Sequence, residues 1–454
     1  MIKPYVIIAS AAVQAKRIAT GMYGQTKYTH YLESIQNLPP VEIKSLQAAC
    51  ICGLLKHAVE NIPFYADMEG KVGLTPESAF EDIKKFPVLT KAMLIEKNQG
   101  LAARNIVPAG RLYTSGTTGE TASVLKDKYS MANAPDEFFN KKIGIEPGRS
   151  RLILKADERK KAANEIGGFD YEINRISRTW RVDHRYMNDA RLKFLTDILK
   201  KVKPAIIWGS THGIYVLAKH LEDNGIAVRP PGTILCGGQM MLPQFREKIE
   251  GVFRAKVYDR YGSVECGNTA NQCEARDGYH YVPTVHYIEI LDDCMKPVGE
   301  GVMGNLYITT LNRRAMPMIR YETGDMAVYT EAPCPCGCGF PVIAEIRGRR
   351  KEGVISPKGT YLSLTPLNMI MRQCLEALDF QMIQESPGSL LIRLVTEGNE
   401  PEETVLAKIK SDICASMDYN MDIRFEYTGS IRALPNGKVM RIVPLERLKE
   451  LGDY

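Results

Sequence analysis

Apolar residues recur at helical spacing through the first hundred positions. LQAACICGLLKHAVENI sets its apolar side chains three and four apart, Pro63 ends the run, and Thr75-Pro76-Glu77 opens a further helix. Residues 30 to 105 are therefore expected to be helical. From about 110 to 325 the pattern alternates. Short β-rich runs (RLYTS, RLILK, AIIWGS, GTILCG, AKVYDRYG, GNLYITTL) are separated by stretches such as NDARLKFLTDILKKV, GIYVLAKHLEDNG and LPQFREKIEGVF, whose apolar residues suit helices. Such alternation predicts an α/β domain with a largely parallel sheet. After about 347 the pattern restarts on a smaller scale. SLLIRLVTE reads as a strand, PEETVLAKIKSDICASM as a helix with acidic residues in its first turn, and DIRFEYTG as a strand, which together make a β-α-β unit. The polar junction Gly348-Arg349-Arg350-Lys351-Glu352 reads as a boundary, giving a large domain over 1–347 and a small one over 348–454. No internal repeat interrupts this plan.

Composition narrows the class. The 454 residues are 44% hydrophobic and 25% charged, which excludes disorder, collagen-like repeats and coiled coil as descriptions of the whole chain. The net charge of +6 suits anionic small ligands and calls for no nucleic acid. The charged stretch KADERKKAANE at 155 to 165 reads as a solvated face. Eleven cysteines are too few for a disulfide scaffold, and Cys50, Cys52, Cys236, Cys266, Cys294, Cys374 and Cys414 read as reduced thiols. A reducing, cytoplasmic setting follows. No run of 18 apolar residues exists, so no membrane span is expected. The start, with Lys3 and the apolar stretch from Tyr5 to Val13, loosely mimics a signal peptide. An amphipathic helix with Ile7, Ala11, Ala15 and Ile18 on one face is the preferred reading.

One segment carries strong chemistry. In LYTSGTTGET a strand-like Leu-Tyr runs into Thr114, Ser115, Gly116, Thr117, Thr118 and Gly119. Two glycines permit close backbone approach, and successive N–H groups and hydroxyls offer donors to a triphosphate. The pattern differs from the P-loop, since no Lys-Ser or Lys-Thr follows the second glycine.

Tyr-Thr-Ser-Gly-Thr-Thr-Gly resembles the phosphate-binding signature of the adenylate-forming superfamily. Four further elements fall in that family's order: Tyr261-Gly262-Ser263-Val264-Glu265, Arg320-Tyr321-Glu322-Thr323-Gly324-Asp325, the hinge-like Gly348-Arg349-Arg350-Lys351, and Pro435-Asn436-Gly437-Lys438. KHAVENIPFYAD, FPVLTK and MPMIRYETGD make the chain most similar to the branch of phenylacetate–coenzyme A ligase and capsular-polysaccharide-type proteins. The resemblance spans about residues 45 to 445. It implies a large adenylation domain with mixed and parallel sheets flanked by helices, and a small mobile α+β C-terminal domain. One departure stands out: where the family usually has Lys-Pro after the phosphate loop, this chain has Glu120-Thr121.

The resemblance implies roles. Thr114, Ser115, Thr117 and Thr118 would hold the β- and γ-phosphates of ATP, with Gly116 and Gly119 shaping the loop. Glu265 would help hold Mg²⁺. Asp325 would accept from the ribose hydroxyls. Gly238 and Gln239, after the strand TILCG, would cradle adenine, flanked by Asp259, Tyr261 and Gly262. Arg349 would touch ribose or phosphate, Lys351 would serve as the hinge, and Lys438 would reach the α-phosphate as the catalytic cation. Thr117, Glu265 and Lys438 form the catalytic set. Tyr113, Trp208, His212 and Tyr215 are positional candidates for the acyl pocket.

A second constellation is metal-like. Cys273 and His280 are separated by six residues, and CPCGC supplies Cys334 and Cys336, with Cys338 as the alternate to Cys336. Three thiolates and an imidazole are the set that a tetrahedral structural Zn²⁺ takes.

The expected activity is ATP-dependent, AMP-forming activation of a small carboxylic acid, followed by transfer to a thiol, with coenzyme A as the first acceptor. Adenylation with another acceptor, an amine or a cofactor hydroxyl, is the alternative. A non-catalytic nucleotide- and zinc-binding protein is the third reading. Dimers are common among the similar ligases, which brings in a homodimer.

Overall fold

Helices come first, as their apolar spacing dictates. The computed structural model describes residues 23–104, 109–113, 122–127, 134–154, 165–166, 169–182, 189–238, 241, 243–349, 353–371, 373–374, 376–396, 400–429, 431 and 442–445. Helix α1 spans Tyr23–Ile35 and α2 spans Pro40–Asn61, followed by a 3₁₀ turn at Pro63–Met68, α3 at Ala79–Lys85 and α4 at Lys91–Glu96. Pro40 occupies the first turn of α2, where its missing N–H costs nothing, and Ile62 is held extended ahead of Pro63. Ile43, Ile51, Leu54, Leu55 and Ala58 are buried on one stripe of α2.

The alternating region follows. Its elements are β1 (Ala109–Tyr113), β2 (Ser123–Asp127), α5 (Ala134–Lys142), β3 (Arg151–Leu154), β4 (Glu165–Ile166), β5 (Phe169–Asn174), β6 (Thr179–Val182), α6 (Asp189–Val202), β7 (Ile206–Ser210), α7 (Thr211–Asp223), β8 (Thr233–Gly237), α8 (Pro243–Phe253) and β9 (Val257–Ser263). Then come β10 (Gly267–Asn271), β11 (Tyr279–Tyr281), β12 (His286–Leu291), β13 (Met303–Thr310), β14 (Tyr321–Tyr329) and β15 (Val342–Arg349). Among the described residues, β1 and β2 form a hairpin, and the others join one 13-stranded sheet in the order β12-β13-β14-β15-β11-β10-β9-β8-β7-β3-β6-β5-β4.

The middle of this sheet is parallel: β6, β3, β7, β8 and β9 pair in one direction. Its flank from β9 through β10 and β11 to β15 is antiparallel. The expectation of a largely parallel sheet therefore describes the centre and misses the flank. GNTAN on β10 has no apolar alternation, so pairing with β9 makes it a strand where propensity would not.

Both faces of the parallel centre are covered, which explains its near-continuous apolar strands. On β7 the pleat sends Ile207 to one face and Ile206 and Trp208 to the other. Ile207 packs with Leu154, Ile234, Cys236 and Val257 beneath Leu195 of α6, Leu217 and Leu221 of α7 and Phe253 of α8. Ile206 and Trp208 pack with Ile143, Ile145, Leu235 and Tyr258. Ser210 caps α7, its Oγ accepting from the Gly213 N–H at 3.0 Å. Leu32 and Ile35 of α1 and Ile43 of α2 meet Phe138, Phe139, Val282, Val285 and Phe340 in a further buried cluster.

The chain divides into two compact units, with the described residues up to Thr323 and Ala327–Glu345 in the larger and Gly324–Met326 and the described residues from Ile346 onward in the smaller. The smaller unit adds β16 (Gly353–Ile355), β17 (Tyr361–Ser363), α9 (Leu364–Met371), β18 (Ala377–Ser386), β19 (Ser389–Thr396), α10 (Glu403–Met417), β20 (Asp422–Tyr427) and β21 (Ile442–Val443). Its four-stranded sheet runs β20-β19-β18-β21. β19 and β20 are parallel and joined through α10, the β-α-β unit visible in the pattern, while β18 and β19 are antiparallel. Ile409, Ile413 and Met417 of α10 lie against Met382, Leu390, Ile392 and Ile423. No helix among the described residues is long and apolar enough to cross a membrane.

The sheet centre is tightly fitted at Gly209 of β7. A Cβ there would stand 2.5 Å from the Leu154 carbonyl oxygen on β3, backbone that cannot swing aside. Gly209→Ala is expected to lower unfolding free energy by about 1–3 kcal/mol, read from the urea midpoint at unchanged slope.

Candidate functional site

Parallel strands gather their carboxyl ends at one edge, where ligands of open α/β sheets bind. Ser210 ends β7, Gly237 ends β8, and Tyr261 and Gly262 lie near the end of β9. Gly238 continues from β8 at φ +78°, a left-handed conformation that favours glycine. Gly237 stands beside Arg260 in the β8–β9 register, so the Gly238 turn adjoins Asp259 and Tyr261.

Asp259 is the most constrained group there. Its side chain is 6% exposed, and burial pushes the carboxyl up to about 6. The Tyr279 hydroxyl donates to Oδ2 at 2.7 Å. Oδ1 is buried and has no hydrogen-bond partner among the described residues. The Asp259 N–H donates to Gln272 Oε1 at 2.9 Å, and the same oxygen accepts from Arg246 Nη2 at 2.9 Å.

Arg260, the next residue, points to the opposite face. Its Nε donates to Asn271 Oδ1 at 2.8 Å and its Nη2 to Asn140 Oδ1 at 2.7 Å, while the guanidinium lies 5.6 Å from the Trp208 ring centre.

Glu265 sits in the tight turn between β9 and β10, 7% exposed. The Tyr321 hydroxyl donates to its Oε1 at 3.2 Å. Arg313, 2% exposed, donates through Nη1 to the Glu265 carbonyl. A carboxylate fixed at both backbone and side chain, with a second oxygen to spare, suits a hard cation. Behind it, His286 Nε2 lies 3.2 Å from the Cys266 carbonyl, and burial holds the imidazole down at about 4. It is neutral at pH 7 and adds no charge beside Glu265.

The Cys/His cluster lies on the antiparallel flank. Donor atoms of Cys273, His280, Cys334 and Cys336 all fall within 4.8 Å of one another. Cys273 Sγ is 3.5 Å from Cys334 Sγ, and Cys336 Sγ is 3.3 Å from His280 Nε2. Zn–S bonds of about 2.3 Å and Zn–N bonds of about 2.0 Å require tetrahedron edges near 3.5–3.8 Å, so the donors already stand close to the needed spacing. His280 Nδ1 donates to the Phe340 carbonyl at 2.9 Å, which turns the Nε2 lone pair toward the sulfurs. Cys338 is not among the four converging donors and is buried in the cluster of Phe138, Phe139 and Phe340, against which Cys336 also packs. The donor chemistry, the spacing and the imidazole orientation fit zinc.

Other sequence candidates are less concentrated. Asp325 lies half-buried on β14. Tyr113 is 61% exposed at the end of β1. Trp208 and Tyr215 join different core clusters, Tyr215 packing 4.7 Å from the Phe245 ring, so the structure does not bring these two together. Thr114, Ser115, Gly116, Thr117, Thr118, Gly119, the Glu120-Thr121 departure, Gln239, Lys351 and Lys438 lie outside the described residues, as do the side chains of His212 and Arg349. Residues that hold the site in place escaped the pattern analysis: Arg246, Gln272, Tyr279 and Arg313. Gln272 and Tyr279 carried one faint signal, since each directly precedes a metal-type ligand.

Two outcomes follow. Purified protein is expected to hold one zinc per chain by elemental analysis, lost in Cys273→Ser and Cys334→Ser and retained in Cys338→Ser. Because the folded Asp259 carboxyl titrates near 6, above its unfolded range, its favourable proton is present at low pH and lost as pH rises through 6. Ligand-free wild type should therefore gain stability relative to Asp259→Asn, by roughly 2–3 kcal/mol, as the pH of the denaturation experiment falls from 8 to 4.

Residues 354–444 match the family model described as the CapK C-terminal domain. Protein CapK of Staphylococcus aureus is 21% identical over 431 residues, covering 92% of this chain and 93% of its own. Phenylacetate-coenzyme A ligase of Thermus thermophilus is 23% identical over 391 residues, covering 82% of this chain and 85% of its own. Among solved structures, 2-hydroxyisobutyryl-CoA ligase in the postadenylation state with 2-HIB-AMP aligns at a TM-score of 0.66 with 20% identity, over 91% of this chain and 93% of that one. The same ligase in complex with 2-HIB-AMP and CoA in the thioesterification state aligns at 0.61, over 92% of both chains. The structural likeness establishes the fold: a large mixed sheet flanked by helices, followed by a small C-terminal domain. Over most of its length the chain is thus similar in sequence to phenylacetate-coenzyme A ligase and to CapK, with its C-terminal residues matching the CapK C-terminal domain.

Proposed function

We propose that this chain activates a small carboxylic acid with ATP and passes the acyl group to the thiol of coenzyme A. The observation that carries the reading is the pair of buried carboxylates on β9 and its following turn. Asp259 keeps an oxygen without a hydrogen-bond partner among the described residues, and Glu265 is fixed by Tyr321 and Arg313. Both stand where strand ends of such a sheet meet a ligand. The names of the relatives, phenylacetate-coenzyme A ligase and 2-hydroxyisobutyryl-CoA ligase, support the same chemistry.

In this reading Asp259 accepts from the exocyclic amine of adenine, with Gly238, Gln239, Tyr261 and Gly262 around the base. Asp325 accepts from the ribose diol, and Arg349 contacts ribose or phosphate. Thr114 through Gly119 hold the β- and γ-phosphates. Glu265 would hold Mg²⁺, which screens the phosphate charge that otherwise repels the incoming carboxylate. A carboxylate oxygen attacks the α-phosphorus, the bond to the bridging oxygen breaks, and pyrophosphate departs with that electron pair. Lys438 donates to the oxygens on which charge accumulates. The thiol of coenzyme A, as thiolate, then attacks the acyl carbon, and AMP leaves. Lys351 serves as the hinge between these half-reactions. Cys273, His280, Cys334 and Cys336 would hold a structural Zn²⁺, which supplies cross-linking and, with four protein ligands, no open position for substrate.

The alternative keeps the adenylation and changes the acceptor to an amine or a hydroxyl.

A panel of carboxylic acids assayed for acid-dependent exchange of pyrophosphate into ATP tests the first half-reaction. One or more acids should support exchange, and coenzyme A should then release AMP with loss of free thiol. Lys438→Ala should lower the adenylation rate by about 10²–10³-fold. Exchange with no acid, or an unchanged Lys438→Ala rate, would overturn the proposal. Exchange without thioester formation would leave the second acceptor.

A further inference from the structure

Two cluster ligands have sequence neighbours that hold Asp259. In chain order the residues run Gln272, Cys273, then Tyr279, His280. Gln272 binds Asp259 twice: its Oε1 accepts from the Asp259 N–H at 2.9 Å, and its own N–H donates to the Asp259 carbonyl at 3.0 Å. Tyr279 donates to Asp259 Oδ2 at 2.7 Å. Cys273 and His280 belong to the four-donor cluster. On β11 the pleat makes this division of labour inevitable. Successive side chains point to opposite faces, so a strand that sends His280 into the cluster sends Tyr279 away from it, onto the carboxylate.

We infer that the Cys/His cluster is a positioning device for nucleotide-base recognition, acting on Asp259 through Gln272 and Tyr279. The inference rests on the reading of Asp259 as the acceptor for the base. Cys273 and His280 close the connection between β10 and β11 from both ends, and Cys334 and Cys336 anchor it to the segment before β15. With the cluster intact, the tyrosine hydroxyl and the glutamine amide have one place each to stand. A carboxylate that is 6% exposed has little water to replace a lost partner, so its orientation depends on those two side chains. An acceptor held in one orientation favours a base with an amine donor over one with a carbonyl at that position. The phosphates make no use of this lever. Gln272 and Tyr279 are thus positioning residues.

Calorimetric affinities for ATP, GTP and tripolyphosphate test the inference on three proteins: zinc-loaded wild type, wild type stripped by a chelator, and zinc-loaded Tyr279→Phe. Stripping and Tyr279→Phe should each lower the ATP-over-GTP preference about tenfold, with tripolyphosphate affinity within twofold of wild type. Tyr279→Phe should keep its zinc. If stripping also abolishes tripolyphosphate binding, the protein has lost more than the clamp, and Tyr279→Phe alone decides. Retention of full ATP preference in Tyr279→Phe overturns the inference. Asp259→Ala separates it from its premise. If Asp259→Ala weakens ATP but Tyr279→Phe does not, the clamp is wrong and the base reading stands. If Asp259→Ala leaves ATP affinity unchanged, the base reading itself falls.

Discussion

Parallel pairing of β7, β8 and β9 is the constraint on which the site depends. Parallel strands cannot turn back on themselves, so helices α7 and α8 must cross between them, and the strand ends accumulate on one edge. Gly238, Asp259, Tyr261 and Glu265 all hang from that edge or from the turn after it. The apolar filling beneath, with Leu217, Leu221 and Phe253 on one face and Ile145 and Leu235 on the other, keeps that edge rigid. A carboxylate can be buried at a strand end only where such packing prevents the surroundings from relaxing and admitting water.

Burial gives the two carboxylates different characters. Asp259 is held in a dry place with one tyrosine and backbone contacts, and its proton affinity rises accordingly. Glu265 has a tyrosine on its side chain and an arginine on its carbonyl. Leaving polar atoms without partners inside a protein costs free energy that a ligand can recover. The Asp259 Oδ1 atom is such a position.

Much of this was legible before any coordinates. Helical spacing in α2, the β-α alternation through β9 and the small β-α-β unit followed from periodicity, because each element buries one face and the sequence records which. The convergence of Cys273, His280, Cys334 and Cys336 was readable because a metal-type set restricts residue types so strongly. The antiparallel flank was not readable: GNTAN becomes a strand only because β9 lies beside it, a fact of tertiary pairing. Gln272, Tyr279 and Arg313 stayed hidden for a related reason. Their partners lie 13, 20 and 48 positions away, and no local pattern encodes a hydrogen bond at such separations. The choice of Cys336 over Cys338 was likewise a matter of which sulfur the fold brings to His280 Nε2, and it is that of Cys336, at 3.3 Å.

The cluster also imposes a timetable on synthesis. Cys273 and Cys334 stand 61 positions apart, so the first thiol leaves the ribosome roughly 3–12 seconds before its partner can join it. During that interval a nascent cysteine must stay reduced and uncommitted. The connection between β10 and β11 therefore closes against the segment before β15 only after the chain has been made well past it.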